Sequence, residues 1–271
     1  MPRDLESERA TLEGMEPLSK ESAISASPPE DPQPLYRLPT YMIEDRFKKM
    51  KDLHPYCQLL SQEDLDDCDW LEHAAFDASE AASRDKLEYR LHACGELCSG
   101  IYTSAYSTDS APLGALLHTR TFPSADSHDS DRKRVLLGHA IASKHSASVV
   151  TDSAMEYPKD WRTNYQLSPT SSDGKEIGHN ELGDTVCLHS LAIHPDFQRK
   201  GLGSVLLKGW TQRVRDAGVA ERIALLCRER FVGFYEKAGF KKLGESQCGY
   251  AGGGWVDMVM EFGDAGGDDE L

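Results

Sequence analysis

Residues 185–207 read TVCLHSLAIHPDFQRKGLGSVLL, and this stretch decides the fold class. It begins as an apolar strand and continues through a glycine-rich turn, Gln198–Ser204, into a helix. Glycine permits uncommon dihedrals and close approach, so main-chain N–H groups can converge in this turn at the positive end of the helix. The sequence therefore predicts a pyrophosphate cradle, to which Arg199 and Lys200 add positive charge and Ser204 adds a hydroxyl.

The flanking segments predict further strands and helices around this unit. Two helices follow a first strand, a run of strands comes next, and helix and strand then alternate, which indicates a mixed α/β sheet. The predicted strands are 56–60, 98–106, 134–142, 184–194, 222–227 and 254–262, and the predicted helices are 61–75 (capped by Ser61), 82–94, 203–217 and 230–238.

The two ends differ in composition from the middle of the chain. We predict a disordered leader over residues 1–50, whose first 35 residues are rich in Glu, Ser and Pro, and an acidic tail over residues 263–271. Of the net charge of −15, the first 35 residues hold eight acids against three bases, and residues 261–271 hold five acids against none. This distribution argues against a nucleic-acid partner, which requires a basic face. Since no apolar run resembles a secretion signal or a membrane span, we expect no membrane partner and a cytoplasmic location.

Two remaining features concern the middle of the chain. The irregular stretch 144–184 carries large residues, Met155, Tyr157, Trp161 and Tyr165, and we expect a partly ordered loop near a binding site. The seven scattered cysteines contain no C-x-x-C pair, so neither a disulfide framework nor a metal site is indicated.

The glycine-rich phrase resembles a known family. Leu191–Leu207 is similar to motif A of the GNAT acetyltransferases, whose pattern is Q/R-x-x-G-x-G/A after a hydrophobic strand, and FYEKAGF at 234–240 resembles motif B. The resemblance implies a GNAT fold, a mixed and mostly antiparallel sheet flanked by helices, in a single domain over residues 55–262. It also implies acetyl-CoA as cosubstrate.

Two shorter stretches resemble the arylalkylamine (serotonin) N-acetyltransferase family. CLHSLAIHP at 187–195 is similar to that family's H-x-H-x-L-A-V-H strand, and CGELCSGIY at 94–102 to its C-P-E-L-S-x-G stretch. The sequence departs from the family at Cys187, which replaces the first histidine, and near 82–87, where a C-P-L segment is missing.

Amide formation from a thioester requires a proton acceptor for the amine and a proton donor for the leaving thiolate. Strand alternation places Cys187, His189, Leu191 and Ile193 on one face. His189 is the candidate proton relay, with a satisfied core histidine as the alternative, whereas His194 is interpreted as structural. Tyr235 is the candidate acid because the family places this helix near the CoA sulfur, and ordinary packing is its alternative. Cys187 is interpreted as an inert core thiol rather than a covalent nucleophile.

The resemblance also assigns the residues that would hold the cosubstrate. The N–H of Leu191 would polarise the thioester carbonyl, and the strand would hold the pantetheine arm. The predicted cofactor-binding residues are Leu191, Ala192, Ile193, Gln198, Arg199, Lys200, Gly201, Leu202, Gly203 and Ser204.

These observations favour N-acetylation of a small primary amine by direct attack on the thioester. An arylalkylamine such as tryptamine or serotonin is the first candidate for the acceptor, and a polyamine is the second. The alternatives are a protein N-terminal or lysine acetyltransferase and a non-catalytic acetyl-CoA-binding module. The sequence does not indicate the oligomeric state.

Overall fold

The computed structural model describes residues 53–164 and 166–263, so the predicted leader, most of the acidic tail and Tyr165 lie outside the described residues. Its sheet has seven strands in the order β1-β2-β3-β4-β5-β7-β6. Within the described part of the chain, β4 and β5 are parallel and every other neighbouring pair is antiparallel. The strands are β1 Tyr56–Leu59, β2 Ser99–Ala105, β3 Lys133–His145, β4 Thr185–Ile193, β5 Arg222–Cys227, β6 Lys241–Glu245 and β7 Val256–Glu261.

Helices cover both faces of this sheet. Side chains of α1 and α2 pack with Tyr102, Leu136 and Ile141 on one face, whereas those of α5 pack with Leu137 and Leu188 on the other. The expectation of a mixed, mostly antiparallel sheet flanked by helices is confirmed. The α-helices are α1 Leu65–Ala75, α2 Arg84–Cys94, α3 Leu113–Leu117, α4 Asp152–Met155, α5 Leu202–Ala217 and α6 Val232–Glu236, and short 3₁₀ turns adjoin several of them.

Most predicted elements lie within a few residues of their observed bounds. Ser61 forms the predicted cap, although the first helical turn after it, Gln62–Asp64, is 3₁₀. The helix expected over 230–238 is shorter and consists of a 3₁₀ turn, Glu229–Phe231, followed by α6. Three elements were not predicted, namely α3, α4 and β6.

The stretch 144–184 is partly structured. Strand β3 continues to His145, and α4 follows within the stretch. Tyr157 and Trp161 are buried against Tyr89 of α2. No helix within 53–164 or 166–263 is both long and apolar enough to cross a membrane.

Gly138 tests how tightly the sheet is packed, and Gly209, in a helix, serves as its control. A Cβ on Gly138 of β3 would lie 2.3 Å from Cδ1 of Ile193 and 2.7 Å from the carbonyl oxygen of Ala192, whereas a Cβ on the exposed Gly209 of α5 would meet nothing within 4 Å. We expect Gly138→Ala to lower the free energy of unfolding by about 1–3 kcal/mol through overpacking. Gly209→Ala should raise it by about 0.5–1 kcal/mol because alanine is the better helix former. Urea unfolding measures both, and equal midpoints for the two variants would contradict this packing.

Candidate active site

A gap in the middle of the sheet forms the main cleft. Residues Thr185–Leu188 of β4 pair with Arg222–Leu225 of β5, and the pairing stops there. Strand β4 nevertheless continues to Ile193, and β5 continues to Cys227. Among the described residues, the β5-facing edge of β4 therefore has no strand partner beyond Leu188. A cleft of about 690 Å³ opens at this point.

A bulge in β4 begins where the gap begins. Ile141 of β3 pairs with Ser190 and Ala142 pairs with Leu188, so His189 is the extra residue. The bulge reverses the alternation, and the predicted common face is therefore wrong. Leu191 and Ile193 pack on the α5 side of the sheet, whereas Cys187 and His189 contact Met155 on the opposite side.

The glycine-rich turn lies at one end of the cleft. Arg199 and Gly201 have left-handed φ angles of 60° and 94°, and α5 begins at Leu202. Within the described chain no side chain caps the start of α5, so its first N–H groups remain available to an anion. Gln198 closes the turn by donating from Nε2 to the carbonyl of Ile193, at 3.0 Å.

The structure brings most of the predicted cofactor residues to this cleft. Ala192 is instead buried against the α1 face, Leu202 is buried in the core, and Lys200 lies over the ring of Phe197. The predicted residues that line the cleft are Leu191, Ile193, Gln198, Arg199, Gly201, Gly203 and Ser204, together with His189 and Tyr235.

Both ring nitrogens of His189 have partners in the protein. Nε2 lies 2.7 Å from Oγ of Ser143, and Nδ1 lies 3.2 Å from Sδ of Met155. Burial, reinforced by the positive charges of Arg90 and Lys86, holds the pKa of His189 well below its ordinary value. The imidazole is consequently neutral at pH 7.

Tyr235 lines the cleft from the short helix α6. Its ring packs edge-on against Phe234 and Phe240, with centroids 5.1 and 5.7 Å away. Burial raises the pKa of the phenol well above its ordinary value, so Tyr235 stays protonated at neutral pH. Cys187, in contrast, is fully buried, and burial raises the pKa of its thiol to about 12, as expected for an inert core residue.

The cleft is also lined by residues that the sequence analysis did not select, among them Glu80, Arg228, Tyr250 and Trp255. Glu80, after α1, accepts hydrogen bonds from Nε and Nη2 of Arg228, at 2.9 and 2.6 Å. Arg228 also donates to the carbonyl of Gly253, at 2.6 Å, and its guanidinium stacks on Trp255, 3.7 Å from the ring centroid. The hydroxyl of Tyr250 donates to the Glu80 carbonyl, at 3.0 Å. We call the contacts of Arg228 with Glu80, Gly253 and Trp255 the Arg228 bridge.

Only tertiary contacts identify these residues. Glu72 and Glu80 occur among many acids, and Arg228 follows an ordinary strand, so sequence spacing offered no signal for the bridge. Among the described residues, no cluster of three or more His, Cys, Asp or Glu could hold a metal ion.

Comparisons with known proteins show similarity over part of the chain. Residues 139–262 match the family model of the acetyltransferase (GNAT) domain. Over 66 residues, the chain is 39% identical to serotonin N-acetyltransferase of Mesocricetus auratus and 33% identical to that of Homo sapiens. That stretch covers 24% of this chain and 32% of each enzyme, so the chain spans about a third of the length of these curated relatives.

Among solved structures, the chain is similar to the PaiA N-acetyltransferase of Thermoplasma acidophilum in complex with coenzyme A. The identity is 14% and the TM-score 0.44, over 78% of this chain and 100% of that one. It is also similar to the GphF GNAT-like decarboxylase in complex with isobutyryl-CoA, with 16% identity and a TM-score of 0.48, over 76% and 98% of the two chains.

The environment of His189 predicts its titration behaviour. A histidine in the unfolded chain titrates near pH ~6.5, whereas the buried ring beside Arg90 and Lys86 should stay neutral well below that pH. In an NMR pH titration we expect the ring resonances of His189, assigned by their loss in His189→Gln, to have a midpoint well below that of the urea-unfolded chain. A midpoint near that of the urea-unfolded chain would contradict this environment.

Proposed function

We propose, from the match of residues 139–262 to the acetyltransferase (GNAT) domain model, that the chain transfers the acetyl group of acetyl-CoA to the amino group of a small amine. The observation that carries the proposal is the opening between β4 and β5, directly beside the first turn of α5. It combines an unpaired strand edge, to which an amide-containing arm can bond, with a helix start suited to phosphate.

The residues of the cleft fit acetyl-CoA at both of these places. The left-handed Gly201 and the uncapped start of α5 suit the pyrophosphate, and Arg199 and Ser204 line the same end. The free edge of β4 between Leu191 and Ile193 suits the two amides of the pantetheine arm. Acetyl-CoA supplies a thioester that an amine can attack directly.

The protein's own groups then supply the proton transfers. The main-chain N–H of Leu191 is our candidate to polarise the thioester carbonyl. His189 is neutral and lines the cleft, so it can accept the proton released by the amine, directly or through water. Tyr235 retains its proton and can donate it to the departing thiolate.

The Arg228 bridge favours a small acceptor over a peptide. It joins the segment after α1 to the segment before β7 along the wall of the cleft, where it would limit the space for a peptide. The rings of Phe76, Tyr250 and Trp255 line the same cleft, which suits an arylalkylamine. The partial similarity to serotonin N-acetyltransferases supports the same acceptor class.

An acceptor panel tests the function. We would measure CoA release with acetyl-CoA and tryptamine, serotonin, a polyamine, or a peptide with a free N-terminus. Turnover of arylalkylamines is expected, with slower turnover of the polyamine. Turnover of the peptide alone would indicate a protein acetyltransferase, and acetyl-CoA binding without any turnover would indicate a non-catalytic module.

Two left-handed glycines at opposite ends of α5 test the cradle. Gly201 has a φ of 94° and Gly218 a φ of 62°, and a Cβ at either position meets nothing within 4 Å. Valine should therefore strain the backbone and lower the melting temperature at both positions. Only Gly201→Val should also lose the thermal stabilisation given by acetyl-CoA, because Gly218 is remote from the cleft. Full stabilisation of Gly201→Val would refute the cradle.

Tyr235→Phe separates chemistry from packing by removing one oxygen. The ring contacts with Phe234 and Phe240 remain, so folding and acetyl-CoA affinity should be unchanged. If the phenol protonates the leaving thiolate, kcat should fall by about 10²-fold, as is usual for the loss of one general acid. An unchanged kcat would make Tyr235 a packing residue, and a large loss of affinity would instead make it a cofactor contact.

A further inference from the structure

One buried carboxylate, that of Glu72, joins several elements around the cleft. Glu72 lies in the last turn of α1, is 2% exposed and lines the cleft. Its Oε1 accepts the main-chain N–H of Ala82, at 2.9 Å. Its Oε2 accepts from Oγ of Ser190, at 2.7 Å, and from Nε2 of His139, at 2.8 Å. One side chain thus connects α1, the segment before α2, β3 and β4.

The network keeps Glu72 ionised despite its burial. Burial alone would raise the pKa of Glu72, but the hydrogen bonds from His139, Ala82 and Ser190 outweigh it and hold the pKa below its ordinary value. His139 is fully buried and also lies 3.0 Å from Oγ of Ser190. Removing one member of such a buried network leaves its partners unsatisfied, so Glu72 and Ser190 are coupled.

Ser190 connects this network to the reacting end of the cleft. It directly follows His189, the bulged residue, and directly precedes Leu191, and both neighbours line the cleft. Since β5 has already diverged from β4, this segment is held by the pairing with β3, by the contacts of the His189 ring, and by the bond from Ser190 to Glu72 on the α1 side.

We propose that Glu72 is a positioning residue that acts through Ser190 and His139 to hold the bulged segment of β4, residues 189–191, in place for acyl transfer. The role rests on the proposed function, since it concerns the same cleft. A displacement of about 1 Å in such a segment can cost about 10²-fold in rate without affecting distant binding contacts.

The test uses Glu72→Gln, Ser190→Ala and the double variant, with Glu63→Gln as the matched control. Glu63 is exposed, outside the cleft and close to the start of α1. Glu72→Gln keeps the side-chain shape but removes the charge and one acceptor. We expect kcat to fall about 10- to 10²-fold in Glu72→Gln and less in Ser190→Ala, with acetyl-CoA affinity unchanged and the control equal to wild type. The double variant should be no slower than Glu72→Gln, because both changes break one connection.

Two kinetic outcomes would overturn the proposal. Losses that multiply in the double variant would show that the residues act independently. A rise of tenfold or more in the amine KM of Glu72→Gln, with Ser190→Ala at wild-type activity, would make Glu72 a direct contact of the amine instead.

Hydrogen exchange provides a readout that does not depend on activity. Amide protection in a peptide covering residues 188–193 should fall in Glu72→Gln and Ser190→Ala and stay unchanged in Glu63→Gln. If the wild-type protein acetylates no amine, the proposed function fails, and the exchange measurement still decides whether Glu72 holds the segment. Unchanged protection in both cleft variants would overturn the proposal.

Discussion

The rest of the structure depends on the divergence of two parallel strands. If β4 and β5 paired along their full length, the main-chain groups beyond Leu188 would be bonded within the sheet and unavailable to a ligand. The gap instead leaves the main-chain N–H and C=O groups of β4 beyond Leu188 without a strand partner on the β5 side, among the described residues. The bulge at His189, the buried network of Glu72 and the Arg228 bridge all surround this one opening.

Burial sets the protonation state of each group in the cleft, and it acts in different directions. It favours the neutral form of His189 and the protonated form of Tyr235, whereas Glu72 remains charged because three donors compensate its burial. A neutral imidazole, a protonated phenol and a fixed negative charge therefore coexist at neutral pH in one cavity of about 690 Å³. These protonation states follow from burial and hydrogen bonding of ordinary side chains.

Sequence reasoning succeeded where the signal was local. The strand, turn and helix around Gly201 follow from periodicity and glycine content, and most of the predicted cofactor residues line the cleft. It failed at β6, an exposed edge strand with a register shift at Gly244 and no apolar alternation. It also failed at the bulge, because His189 becomes an extra residue only through pairing with β3. The contact between Glu72 and Ser190 spans 118 residues, which no local pattern can reveal.

The Arg228 bridge has a consequence for how the site is assembled during synthesis. Glu80 and Arg228 are 148 residues apart in the chain, and the bridge also needs Gly253, which is made later still. A ribosome synthesises the α1 segment long before β5 and the segment before β7, and such non-local contacts form late because loop closure must precede them. The wall of the cleft formed by Glu80, Arg228 and Gly253 is thus absent until the chain has been synthesised as far as Gly253, so this part of the site assembles last.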